Sequence, residues 1–478
     1  MTTHRIRTDL LVIGAGSGGL SVAAGAAQMG ADVTLLEGHK MGGDCLNYGC
    51  VPSKALIAAA GAAHGQAHTA AFGVAPCAPQ VDYAAAMDYV AQVIGRIAPH
   101  DSVERFTGLG VRVIEEYGSF VSPREVEAGA YRIKARRVVI ATGSSPFVPP
   151  IAGLDSVPFL TNETLFAQRE QPAHLLVIGG GPIGMEMAQA HHRLGCKVSV
   201  IESSEALGRE DRETAALALS ALRSEGVEIF ENTKVERVQG TQGAIEATAQ
   251  DGRVFAGSHL LVAVGRRPSI DRLNLAAAGV EVARGAIKVG AGLRTSNRRV
   301  YAIGDVIGRL QFTHVASYHA GLVIRSALLG MPTRHHSHHI PRATYTTPEV
   351  AQVGLTESEA QAEYGDRLHV LRLPFDQNDR AITGSQTNGL VKLMVVKSRW
   401  RTQLVGVAIA GHQAGELINT WALVLANRLK LTSLTNTVAA YPTIGEINKR
   451  AAGAWFAPRL FQNPTLRRGV RLVQRLVP

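Results

Sequence analysis

Cysteine is scarce, four in 478 residues, which excludes a disulfide-stapled secreted scaffold. Aromatic residues make up only 5%. No zinc-finger spacing and no aromatic RNA-binding string occurs, so nothing here resembles a nucleic-acid module. Acids are outnumbered, 39 Asp and Glu against 49 Lys and Arg, giving a formal net charge of +10. That balance favours anionic partners, either nucleotide phosphates or an anionic membrane surface, beside plain solubility. Long apolar runs are missing too. The longest, Leu10 to Ala27, is broken by glycines and divides into a strand and a helix start, not a membrane span. The opening MTTHRIRTDL enters a strand almost at once, which leaves no room for a signal peptide.

What is present is a chain long enough for two to four domains. Hydrophobic residues make up 46% and charged ones 18%, the balance of a globular protein with a large interior. Fifty glycines fit a chain of tight strand-to-helix turns.

The most informative stretch is Gly42-Gly43-Asp44-Cys45-Leu46-Asn47-Tyr48-Gly49-Cys50-Val51-Pro52-Ser53-Lys54. Two cysteines five positions apart, just past a Gly-rich strand–turn–helix unit, can close a small disulfide ring at a helix start. There the unpaired N–H groups and the positive end of the helix dipole favour a thiolate on the second sulfur. A structural staple is the competing reading, and one short ring adds little stability to a chain this long. A reversible couple and few other cysteines (Cys77 and Cys196 lie far off in sequence) indicate a reducing cytosol.

Asp9 to Ile13 reads as a strand, followed by Gly14-x-Gly16-x-x-Gly19, an Ala-rich helix to about Met29, and a second strand, Asp32 to Leu36, ending in Glu37. This is a complete dinucleotide fingerprint. One glycine makes the turn, one admits a pyrophosphate, one lets helix pack on strand, and the acid meets a ribose hydroxyl. It recurs: strand Leu175 to Ile178, Gly179-x-Gly181-x-x-Gly184, a helix to Gly195, and strand Lys197 to Ile201 ending in Glu202. Two motifs mean two dinucleotides. A carboxylate at Glu202 accepts the 2′-hydroxyl of NADH and repels a 2′-phosphate, so NADH is favoured. NADPH stays open because Arg209 is near in sequence.

Between residues 54 and 106 lies a helical region. It is followed by strand Val138 to Ala141, Thr142-Gly143-Ser144, and a Pro-rich linker from Ser145 to Pro150. Strand Leu260 to Val264 leads to Gly265-Arg266-Arg267-Pro268, and Val300-Tyr301-Ala302-Ile303-Gly304-Asp305 reads as a strand ending in an acid.

The cysteine string and the two fingerprints, over residues 9 to about 450, closely resemble the flavin-dependent pyridine nucleotide–disulfide oxidoreductases. That family includes glutathione reductase, dihydrolipoamide dehydrogenase and mercuric reductase. The fold expected is α/β, with two Rossmann-like dinucleotide-binding domains, for FAD and NAD, and an α+β dimerisation domain. The expected boundaries are 1–150 (FAD), 151–268 (NAD(P)), 269–340 (completing the FAD domain), 341–450 (interface) and 451–478 (a basic amphipathic tail).

The resemblance implies that FAD sits on Gly14, Gly16, Gly19, Glu37, Gly43 and Asp305, with further contacts from Gly118, Thr142, Gly143, Thr313 and His314. It implies that the nicotinamide cofactor binds over Gly179, Gly181, Gly184, Glu202 and Gly265. Lys54, paired with Glu186, stabilises charge near the flavin's reactive nitrogen. Electrons from NADH pass through FAD to the Cys45–Cys50 disulfide, with Cys50 facing the flavin and Cys45 meeting substrate. The chain is expected to be a cytoplasmic homodimer, with Tyr441 and Glu446 of the partner subunit completing each site.

Two departures stand out. Relatives that handle glutathione or dihydrolipoamide carry His-Pro-Thr-x-x-Glu, whereas this chain has Tyr441-Pro442-Thr443-Ile444-Gly445-Glu446. A phenol of ordinary pKa about 10 is a poor proton acceptor at neutral pH. Asp44 stands where relatives usually place Thr, and facing Cys45 it would raise that thiol's pKa. Both weaken ordinary dithiol exchange. Mercuric reductases also place a phenol at the first position, but they add two adjacent cysteines near the C-terminus and often a metal-carrier domain. This sequence has no cysteine after Cys196 and no such domain.

The acceptor readings are a disulfide or thiol-bound compound, a soft metal ion captured by the cysteine pair, and a membrane quinone. A flavin-binding redox sensor is the competing class. The cluster Arg334-His335-His336-Ser337-His338-His339 is read as a solvated interdomain loop, and no metal site is assigned to it. After Asn463-Pro464, a helix start, Leu466, Val470, Val473 and Val477 share one face, widened by Leu472 and Leu476. Arg467, Arg468, Arg471 and Arg475 cluster opposite. Docking on its own protein is the expectation for this helix, and peripheral contact with the inner membrane face is the alternative.

Overall fold

The computed structural model describes residues 4–398 and 402–477. Residues 1–3 of the opening MTTHRIRTDL lie outside the described residues. From His4 the strand runs unbroken to Ile13. The chain gathers into two compact units. One comprises the residues up to Ala70, Val74–Ser203 and Ile229–His335; the other comprises Ala71–Gly73, Ser204–Glu228 and the residues from His336 on.

The first unit is built on a larger mixed sheet, parallel at its centre with an antiparallel edge, and a smaller one of parallel pairs. In the larger, His4–Ile13 pairs in parallel with Val33–Leu36 and with Tyr131–Ile140. Arg112–Ile114 extends one side, and Val300–Ala302 joins Tyr131–Ile140, also in parallel. Leu11, Val12, Leu35, Val139 and Ile140 are completely buried. That is why these segments read as unbroken apolar runs: both faces of a parallel sheet are covered. Helix Ser17–Gln28 connects the first two strands. The smaller sheet repeats the plan, with His174–Ile178 between Lys197–Ile201 and His259–Val262, and helix Pro182–Arg193 as the crossover.

The two fingerprint turns obey one steric rule. A Cβ on Gly19 would stand 1.8 Å from the Gly14 carbonyl oxygen, and one on Gly184 would stand 2.0 Å from that of Gly179. Only glycine lets each helix lie this close to its strand. Where the chain crosses between the sheets, Ser144–Pro146 and Arg266–Pro268 pair as a short antiparallel ribbon.

The second unit holds a five-stranded antiparallel sheet, ordered Arg342–Thr344, Glu349–Gly354, Thr402–Gly411, Leu390–Lys397 and Leu368–Pro374. Helices Ala414–Ala426 and Glu446–Ala454 contribute Ile418, Trp421, Ile447 and Ala451 to its core. The indole N–H of buried Trp421 donates to Asn448 at 2.8 Å, so the one polar atom of that side chain is satisfied. Among the described residues no helix is long and apolar enough to cross a membrane.

This unit also buries a charge cluster. Lys392, 3% exposed, reaches Asp211 at 2.8 Å, Glu213 at 3.1 Å and Glu357 at 2.5 Å. Asp211 in turn caps helix Arg212–Glu225. Lys392→Met leaves Asp211 charged, buried and without its ammonium. The expected cost is about 3–5 kcal/mol, read as a lowered denaturation midpoint of the full-length protein.

Candidate active site

The site begins at the first fingerprint turn. Glu37, just past its strand, accepts the Ala15 N–H at 2.7 Å, which fixes the acid beside the turn. Gly16 caps helix Ser17–Gln28 without any side-chain hydrogen bond, so the helix's first N–H groups are left for an anion. The second motif matches it: Glu202 accepts the Gly180 N–H at 2.7 Å, and Gly181 caps its helix without a side chain. A Cβ on Gly181 would meet nothing within 4 Å. Both turns thus leave open space where a pyrophosphate belongs, and the residues fit two dinucleotides.

The cysteine string is held directly against the first turn. The Gly42 N–H donates to the Ala15 carbonyl at 3.0 Å. A Cβ on Gly43 would fall 2.7 Å from the Gly16 Cα. Helix Gly43–Asn47 then carries Cys45, and Cys50 opens helix Cys50–Ala67. Both cysteines are free thiols. Cys50 Sγ lies 3.3 Å from the Thr313 hydroxyl, at the first turn of helix Thr313–Leu329.

The two sulfurs are strongly inequivalent. The hydrogen bond from Cys45 lowers the Cys50 pKa to about 6, helped by Thr313 and by the Lys54 charge against the opposing effect of burial. Cys45 is pushed upward, first because its proton is committed to Cys50, then by burial. Lys54 itself is anchored at 2.7 Å to Glu186, a buried residue of helix Pro182–Arg193. The expected effect of Asp44 on Cys45 is upward as argued from sequence, but it is the smallest contribution. Its carboxylate is engaged elsewhere, by Arg266 at 2.9 Å and by the buried Asn162 at 3.0 Å.

Arg266 ties the acid before Cys45 to the acid of the later motif. Its Nε donates to the Ser144 hydroxyl at 2.8 Å, and that hydroxyl donates to Asp305 at 2.6 Å. Burial raises the Asp305 pKa, opposed by Ser144 and Arg266. Behind it, the Gly304 N–H donates to His319, whose other ring nitrogen lies 3.0 Å from His335. His319 is fully buried, and desolvation lowers its pKa to about 4, so it is neutral. One member of the histidine-rich string therefore supports the Asp305 turn. Among the described residues no group of three or more His, Cys, Asp or Glu could hold a metal ion.

The remaining expected positions take backbone or lining places. Thr142 donates to the Ser269 carbonyl at 2.7 Å, and the Gly143 carbonyl accepts the Ser269 N–H at 3.0 Å. The Gly265 carbonyl accepts from Phe147, in the crossover ribbon. Gly118 lies where a Cβ would meet Leu36, at the end of the second strand. The His314 ring stacks on Phe312.

In the second unit Tyr441 is 69% exposed. Its hydroxyl donates to Asp379 at 2.9 Å. That bond raises the phenol's pKa above its ordinary value, so Tyr441 is a donor and not a base. Glu446 pairs with Arg450 at 3.2 Å.

A flavin-motif turn, a second dinucleotide turn and an asymmetric dithiol on one framework define a two-electron relay. The chain belongs to the pyridine nucleotide-disulphide oxidoreductases: the family's model matches residues 8–320, and its dimerisation domain matches residues 340–452. Members are FAD-dependent oxidoreductases that use NAD(P)H, and the dimerisation domain makes the chain a homodimer. It is 35% identical to a mercuric reductase of Lysinibacillus sphaericus, over 93% of this chain and 82% of that protein. It is 33% identical to a dihydrolipoyl dehydrogenase of Bacillus subtilis, over 91% and 96%. The HOCl-induced flavoprotein disulfide reductase RclA of Escherichia coli, solved as a Cu(II) complex, superposes with a TM-score of 0.83 at 28% identity, over 92% of this chain and 99% of that one.

Two measurements check the electrostatics. Alkylation of the reduced enzyme by iodoacetamide should rise through a midpoint near pH 6, because Cys50 is a thiolate above that pH and a thiol below it. Cys45→Ala should move the midpoint up by about one unit or more, since one unit is ~1.4 kcal/mol and a hydrogen bond to a charged group contributes about that. Ultraviolet difference titration against Tyr441→Phe should show a phenol ionising above pH ~10, and Asp379→Asn should lower it.

Proposed function

We propose that this flavoenzyme transfers electrons from NADH to a soft metal ion captured at the Cys45–Cys50 pair. The observation that carries this reading is the missing base. Oxidation of a dithiol needs an acceptor for the outer thiol's proton, and the resemblance puts Tyr441 at that duty. Its phenol is held protonated by Asp379. A soft cation needs no such base, because it displaces the thiol proton as it binds. The low pKa of Cys50 provides the first sulfur ligand already ionised. The mercuric reductases among the relatives and the Cu(II) complex of RclA support the same class of acceptor.

In this reading Gly14, Gly16, Gly19, Glu37 and Asp305 would hold FAD, which would supply two-electron transfer between the nicotinamide and the sulfur pair. The chain's own groups do the rest. Lys54, oriented by Glu186, holds positive charge beside Cys50. Thr313 donates to the same sulfur. Cys45 meets the ion, and the resemblance places Tyr441 of the partner subunit beside it, where a hydroxyl whose proton is given to Asp379 takes none from the thiol. One Hg(II) ion, or two Cu(II) ions each reduced to Cu(I), would take up both electrons of one hydride, leaving oxidised nicotinamide and one proton. Glu202 favours NADH by repelling a 2′-phosphate.

A second reading keeps the cytoplasmic enzyme at the inner membrane face, with a quinone as acceptor and the disulfide dispensable. The observation behind it is the helix Pro464–Leu476, none of whose residues is buried.

An acceptor panel separates these readings. With NADH, turnover of Hg(II) or Cu(II) should exceed that of low-molecular-weight disulfides and quinones, and Cys45→Ser should lower it on the order of a hundredfold. Quinone turnover that survives Cys45→Ser and exceeds metal turnover would establish the second reading. NAD-linked oxidation of dihydrolipoamide should fall about a hundredfold below that of a His-containing relative, and Tyr441→His should restore part of it. Full dihydrolipoamide activity in the unmodified enzyme would refute the argument from the missing base.

A further inference from the structure

Helix Pro464–Leu476 has a well-formed start and no cover. The Asn463 side chain accepts the N–H groups of Thr465 and Leu466, and Pro464 occupies the first turn. From Pro458 to Val477 every residue is exposed. Within a single chain this helix therefore does not dock on its own protein. Leu466, Val470, Leu472, Val473, Leu476 and Val477 are 43–74% exposed.

The two faces of this helix are cleanly divided. At 100° per residue the six apolar side chains fall on one arc, and Arg467, Arg468, Arg471 and Arg475 fall on the other. No acid follows Glu446 in the sequence, so nothing within the helix neutralises the four guanidinium groups. A thirteen-residue helix is marginal in water on its own, and its apolar arc needs an occupant. At ~1.5 Å per residue it is about 20 Å long, too short to cross a hydrocarbon core of about 30 Å. It can lie in the plane of an interface, with its arginines at headgroup level and its aliphatic arc among the acyl chains.

We propose that this helix binds the surface of an anionic phospholipid bilayer, making the enzyme a peripheral membrane protein. Charge complementarity selects the partner. Four cations with no acid among them match a sheet of lipid phosphates, whereas a protein groove would have to offer an acidic rim matched to this one spacing. The contact is independent of which acceptor the redox site uses.

The test is co-sedimentation of the full-length holoenzyme with vesicles of phosphatidylcholine alone or with phosphatidylglycerol as about a third of the lipid. Binding should be on the order of tenfold tighter to the anionic vesicles and should weaken with added salt. Replacing all four arginines by Gln should bring it to the level of neutral vesicles. Val470→Ser with Val473→Ser and Leu476→Ser should abolish it, and NADH oxidation in solution should be unchanged in both variants. Equal binding to both vesicle types, or anionic binding that survives both variants, would overturn the proposal. So would light scattering showing that the apolar-face variant breaks the dimer in lipid-free buffer, because the face would then be covered by the second copy.

Discussion

The closeness of two glycines, Gly16 and Gly43, governs the rest of the first unit. Because Gly43 carries no side chain, the backbone that starts the cysteine helix lies directly on the turn that caps the first crossover helix. The redox string therefore takes its position from the turn between the first strand and its crossover helix. Its sulfurs need no long side chains to reach the cofactor turn. Thr313, arriving from the start of a distant helix, sets the hydroxyl beside Cys50. The raised acidity of that sulfur is thus a property of packing as much as of its own helix. It depends on three separate chain segments meeting at one point.

Most of this framework was legible from sequence because it rests on close approaches that admit only glycine, and those leave a fixed spacing. The limits of legibility are equally physical. In sequence, strand Tyr131–Ile140 shows an apolar run only from Val138 on. Its first half, with Arg132, Lys134 and Arg136 at alternate positions, pairs with the equally polar His4–Thr8. Two half-exposed strands that cover each other carry no apolar run to reveal them. The apolar halves, buried on both faces, were plain.

The site shows the same division. Cys45, Cys50, Lys54 and Asp305 sit in contiguous motifs. Asn162, Ser144 and Asp379 are single polar residues, and their roles appear only when folding brings in partners up to 161 positions away. Arg266 stood in a recognised string yet gave no hint that it would bridge two carboxylates. The effect of Asp44 on Cys45 has the expected sign but is the smallest of the causes. The acid's neighbour in the chain is Cys45, but its hydrogen-bond partners are a guanidinium and an amide, and most of its charge is satisfied there. Likewise Tyr441 invited comparison with a base, and its own carboxylate partner makes it the opposite.

Lys54 carries one last implication. Its ammonium sits within 2.7 Å of a carboxylate on the helix that starts at the second dinucleotide turn, and the same positive charge steadies the Cys50 anion. A single cation answers to two masters. A ligand that moved that carboxylate on binding would be linked to ionisation of the sulfur, and linkage is reciprocal. Whatever draws that carboxylate nearer or farther when the nucleotide arrives alters the sulfur's acidity by the same free energy with which the ionised sulfur alters the nucleotide's affinity.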